Sequence, residues 1–153
     1  MIANFKTIIR LGLAFVAACI GLVATTNCGG KASTDERSLL LRADSFVVAY
    51  YNGLYHEAAR FVAPSSMPRL RFIASQITQA DVDVIRQREE PLNYEVVATT
   101  IEHDSCAQVE LQLHNAFTID SIGQPGTIST EQTATLNFVF DKEQQLWFVS
   151  LNK

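Results

Sequence analysis

The side chains best able to move a proton gather at one place, where Tyr50, Tyr51, Tyr55 and His56 fall within seven consecutive positions. The acid that could serve them is Asp120, at the end of a long alternating segment. Proton transfer needs the base within hydrogen-bond reach of its substrate and tuned by burial. Tyr50, however, lies on an apolar helical stripe, where a tyrosine acts as a core residue with a wet hydroxyl. Asp120 has the outward parity of its strand. No pair converges by spacing, so the sequence assigns no catalytic residue.

His103, Asp104, Ser105 and Cys106 bring metal-ligating and nucleophilic types into four adjacent positions. A closed zinc site needs about four ligands, and the chain holds three histidines, widely separated. Cys106 beside His103 lacks a third residue to orient the base, and Asp and Ser are ordinary turn formers. No metal and no cofactor is expected. Asp81 and Asp83 suit a helix start, where the dipole favours negative charge, and residues two apart on a helix do not share a face. Arg69, Arg71, Arg86 and Arg88 read as solvated helix faces on a chain of formal net charge −4. That leaves Tyr50, Tyr51, Phe72, Tyr94 and Trp147 as the expected lining of a ligand pocket, since rings with polar tips suit a mostly apolar site. The competing role for these rings is to fill the core and leave no cavity.

The elements that must position them begin with helices. Ser33 with Glu36 has capping-box spacing, and Leu39, Ala43, Phe46, Val47 and Tyr50 recur at helical spacing. Asn52-Gly53 is the stop. A short second helix carries Leu54, Ala58, Phe61 and Val62 on one face and ends at Pro64. A third starts at Ser66 and Pro68 with Leu70, Ile73, Ala74 and Ile77 as its stripe. Thr78 with Asp81 caps a fourth, which stops before Pro91.

From Tyr94 the period changes to two. Ala107, Val109, Leu111, Leu113, Phe117 and Ile119 alternate with polar residues and predict one long strand with a single buried side. Ala134, Leu136, Phe138 and Phe140 repeat the pattern, and the segment Trp147 to Leu151 closes the chain. Helices followed by a four-strand antiparallel meander define an α+β domain, with the helices packed on one face of a curved sheet and a cone between them. The polar outer face, with Gln108, Glu110, Gln112 and His114, excludes a large apolar interface, so a monomer or a weak dimer is expected.

The stretches "ADSFVVAYYNGLYHEAARFVAP" (residues 43–64) and "LWFVSL" (residues 146–151) resemble the first helix, glycine turn, second helix and closing strand of the nuclear-transport-factor-2-like superfamily. This is a cone-shaped fold related to the cystatin-like architecture. The nearest likeness is to its small bacterial lipoproteins. The resemblance implies a fold with an interior able to hold a ligand. Some members of the superfamily are isomerases, dehydratases or cyclases, so an enzyme of that type is the alternative to a binding module.

Ahead of this domain, Lys6 and Arg10 precede an apolar run, Leu11 to Ala24. At about 14 residues the run has the length of a secretory signal core and falls short of the ~20 residues a spanning helix needs. Cys28-Gly29-Gly30-Lys31 resembles the lipidation site of Bacteroidetes-type lipoproteins, in which the peptide is removed just before a cysteine that becomes acylated. Thr25 and Asn27 depart from the usual residues before such a cysteine. Cys19, after Val16-Ala17-Ala18, is the alternative, but cleavage there would leave Ile20 to Ala24 as an apolar stub. A disulfide between Cys28 and Cys106 is the other role open to Cys28 in an exported protein. The expected organisation is a signal peptide at 1–27, a flexible tether at 28–34 and one domain at 35–153. Loss of Lys6 and Arg10 would take the formal charge from −4 to about −6, a balance that disfavours nucleic acid. The expected protein is exported, held to the cell-envelope membrane by a lipid on Cys28, and binds an unidentified small molecule, peptide or protein.

Overall fold

The 20-residue helix α1 (Ala32–Tyr51) organises the domain. Its stripe of Leu39, Ala43, Phe46 and Val47 is buried to the last few per cent, as the helical spacing requires. A computed structural model describes residues 32–103, 105–119 and 123–151. Cys19, Cys28, Asp104, Asp120 and the segments expected to be signal peptide and most of the tether lie outside the described residues. Those described belong to one compact unit, Lys31–Lys153.

After α1 come α2 (Tyr55–Ala58), two 3₁₀ turns (Ala59–Phe61 and Pro64–Ser66), α3 (Met67–Ser75) and α4 (Gln79–Arg86). The second helix is a single turn, and its buried residues are Tyr55 and Ala58. Leu54, expected on the buried face, is instead the exposed residue before the helix. In α3 the expected stripe holds, with Leu70 buried and Ile73 and Ala74 packed against the core. Thr78 and Asp81 form the capping box of α4. The Thr78 N–H and hydroxyl both donate to Asp81 Oδ2 at 2.7 Å.

The sheet is antiparallel, in the order β1 (Asn93–Glu102), β2 (Cys106–His114), β5 (Gln132–Asp141), β6 (Leu146–Ser150). Between β2 and β5 the chain makes a separate two-strand ribbon, β3 (Ala116–Thr118) with β4 (Thr127–Ser129). The described residues thus form an α+β structure, with four α-helices and an antiparallel four-strand sheet. The single long strand expected through Ile119 is a point of correction. It breaks at Asn115, which has a left-handed φ of 56°, a conformation that asparagine tolerates better than most side chains. The break puts Ala116 and Phe117 in the core in succession, so the ribbon leaves the plane of the main sheet.

Core rows follow the register. Leu111 pairs with Val96 on one side and Ala134 on the other, and Val109 pairs with Thr99 and Leu136. β1 is an edge strand whose register shifts between Val96 and Ala98. The bulged Val97 is therefore out of the ladder and 63% exposed. Two polar ties fasten the layers. Asp81, 1% exposed, accepts the N–H of Gly126 at 2.5 Å, which joins α4 to the ribbon. A side chain at Gly126 would collide with the Phe117 ring and with the Thr118 carbonyl. Arg88, expected on a solvated face, instead donates to Asn52 Oδ1 at 2.6 Å and to the Asn115 carbonyl at 3.2 Å. It links the end of α1 to the β2–β3 corner from the segment that follows α4.

Candidate functional site

Helix α1 ends in a Schellman turn, with the Leu54 N–H donating to the Ala49 carbonyl at 2.8 Å and the Gly53 N–H to Tyr50 at 3.1 Å. Gly53 has φ 73°, and a Cβ there would also press on Ile85 Cδ1 at 2.7 Å. This turn reverses the chain within three residues, so Tyr55 returns beside Tyr50. The Tyr50 ring stacks on Phe46 at 5.0 Å and meets Tyr51 and Tyr55 edge-on at 5.1 and 5.3 Å.

These three tyrosines form one wall of a cleft of about 440 Å³. Helix α3 supplies the second wall with Arg69, Phe72, Ile73 and Gln76, which follow i, i+3, i+4, i+7 spacing and so share one helix face. Phe117 and Ile119 from the β3 segment and the start of β5 complete it. A smaller pocket of about 180 Å³ adjoins it, and Tyr50, Tyr51, Arg69 and Ile73 line both spaces. The combined size falls in the range of small-molecule sites, roughly 300–1,000 Å³.

Burial raises the pKa of all three hydroxyls above the ordinary tyrosine value. Tyr51 goes to about 12 through burial and then the neighbouring Tyr50. Tyr55 is raised by burial and, after it, by Tyr50, Asp81 and Tyr51. For Tyr50, burial raises the value and the Arg69 charge opposes it. At neutral pH the cleft therefore presents intact O–H groups beside one guanidinium. Among the described residues that line it, Arg69 is the one that carries a charge.

Of the five expected pocket residues, the cleft brings together Tyr50, Tyr51 and Phe72, the last 52% exposed at the rim. Tyr94 stands outside the cleft on β1, where its hydroxyl donates to Asp44 of α1. Burial first and Asp44 second raise its pKa. Trp147 is 1% exposed and packed against Phe140 at 5.0 Å, within the core. Its position on the closing strand puts it on the buried face of the sheet with Val149. His56 lies in a different groove, between α2 and α3, with Arg60 and Arg71. Cys106 is exposed at the start of β2. No group of three or more His, Cys, Asp or Glu side chains that could hold a metal occurs among the described residues.

Arg69 and Gln76 were legible only as polar positions on α3. The signal that could have found them is their phase with Phe72 and Ile73, which gives that helix a second, mixed stripe beside its apolar one. Phe117 was expected on a buried face, and it is the ribbon that carries it into the cleft wall. No protein-family model matches the chain, and no curated protein matches it in sequence.

Proposed function

We propose that the protein is an exported, lipid-anchored binding module of the nuclear-transport-factor-2-like type. Cys28 holds it to the envelope membrane, and the tyrosine cleft takes a small molecule or the tip of a partner. The observation that carries the reading is the cleft itself, an opening between α1, α3 and the β3–β4 ribbon walled by aromatic rings whose hydroxyls stay protonated. A lining of neutral donors and one cation suits recognition, because acid–base turnover calls for a group poised near the working pH. The anchor rests on the sequence pattern around Cys28, and among the described residues no helix is long and apolar enough to cross a membrane.

Mass spectrometry of the full chain, purified gently from its own envelope extract, tests both halves. Denaturing spectra should give an acylated fragment that begins at Cys28, and native spectra a reproducible non-covalent mass that disappears with Tyr50→Ala. An unmodified Cys28 in a chain that still sediments with membranes would refute the anchor, and a clean apo mass would refute the occupied cleft.

A further inference from the structure

The cleft has a charge opposite to that of the molecule around it. The chain is acidic overall, at −4, yet among the described residues the single charged side chain lining the cleft is Arg69, and no carboxylate joins it. Arg69 also lines both the cleft and the smaller pocket that adjoins it, together with Tyr50 and Tyr51. An exposed guanidinium without a carboxylate partner among the described residues presents a planar fork of donors that matches a carboxylate in two places at once. Beside it stand hydroxyls that remain donors at neutral pH, the ring of Phe72 shares its helix face, and Phe117 lines the cleft from the β3 segment.

Resting on the reading of this cleft as a binding site, we propose that its ligand is a small amphipathic monocarboxylate, with the acid group held by Arg69 and the Tyr50 hydroxyl and an apolar body against Phe72 and Phe117. One guanidinium with neutral donors balances a single negative charge. A phosphate dianion would leave charge uncompensated, because no second Arg and no Lys is among the described residues that line the cleft. The Tyr50 hydroxyl already feels the Arg69 charge, so the two can act on one group. The cleft volume of about 440 Å³ accommodates a body of roughly a dozen heavy atoms, small enough to leave both ends in contact.

Calorimetry on the full chain with 4-phenylbutyrate and its uncharged match, 4-phenylbutyramide, tests the class. The acid should bind about tenfold more tightly than the amide, the size expected of one charge-assisted contact at a partly open site. Arg69→Gln should abolish that preference without changing the melting temperature, since Arg69 is exposed, and Arg69→Lys should keep part of it. Equal affinity for acid and amide, or a preference that survives Arg69→Gln, would overturn the carboxylate class and leave the cleft standing as a binding site. Failure of both probes to bind at millimolar concentration would overturn it too, and the occupancy of the envelope-purified protein would then decide separately whether the cleft binds anything.

Discussion

Two aromatic clusters lie between helices and sheet, and they have opposite characters. Around Trp147, the rings of Phe138 and Phe140 are packed with Val149 and α1 in the buried core, and Trp147 itself borders neither the cleft nor the pocket that adjoins it. The Trp147 Nε1 is buried there and finds no partner among the described residues. Around Tyr50, the rings are just as close, yet their hydroxyls look into an opening of about 440 Å³. A core that gives up an indole hydrogen bond to gain close packing is built for stability. A cluster that keeps its polar tips accessible, at the cost of an unfilled volume, is what the proposed binding role requires.

The cause of the difference is the β3–β4 ribbon. At the Trp147 end, β5 and β6 run side by side under α1, and Ala63 N–H donates to the Val149 carbonyl at 2.9 Å, which sews the segment before α3 onto the last strand. At the tyrosine end, the chain leaves the main sheet at Asn115, and the ribbon is tied to α4 by the Asp81–Gly126 bond. The cleft is the gap that this detour leaves.

Substitutions should separate the two regions, beginning with the closed one. Trp147→Ala should cost about 3–5 kcal/mol of stability, the range for deleting a large buried ring, as read by urea unfolding. Asp81→Asn should cost about 2–3 kcal/mol, because an amide cannot accept all the bonds that the carboxylate accepts from Gly126 and Thr78. Burial pushes the Asp81 carboxyl up, but the Gly126 N–H, then the Thr78 hydroxyl and N–H, outweigh it and hold it below the usual range. A depressed folded-state pKa gives stability that is complete above the unfolded value of about 3.9 and is lost as pH falls through the folded value. The gap between wild type and Asp81→Asn should therefore narrow in acid.

At the open end the stability effects should be small and the others distinct. Raised tyrosine pKa values mean that the folded state keeps protons the unfolded chain has lost above pH ~10. The contribution is fully present below that pH and fades as pH rises toward the folded-state values, so an ultraviolet titration should place Tyr51 at about 12. Phe72→Ala should change stability by no more than about 0.5 kcal/mol, since a half-exposed ring contributes little packing, while removing most of the capacity to retain a ligand.

The helical half of the domain was largely legible. The stripe from Leu39 to Val47, the Asn52-Gly53 stop and the Thr78–Asp81 cap each declare themselves by local rules, because their physics acts within one or two turns. The alternation of β2 was equally plain. Asn115 was the missing beat in it, at the place where an apolar residue would have continued the strand, and a local pattern cannot say whether such a gap is an outward-facing polar residue or a change of sheet. From that one turn follow the ribbon, the place of Phe117 and the cleft. Trp147 and Tyr94 were misjudged as pocket residues for a related reason. Ring size and a polar tip mark a residue as able to line a cavity, but where the helices leave a gap over the sheet is a property of the assembled layers.

The four tyrosines of the chain provide the most direct test. Tyr50, Tyr51 and Tyr55 face the cleft, and Tyr94 stands on β1 as an internal reference. With 3-fluorotyrosine incorporated and the reference resonance assigned through Tyr94→Phe, fluorine NMR of the full chain can be followed as the small-molecule fraction of its own envelope extract is added. The cleft account expects three resonances to move together and saturably while that of Tyr94 stays in place. Four unmoved resonances, or a shift of Tyr94 as large as the others, would contradict it.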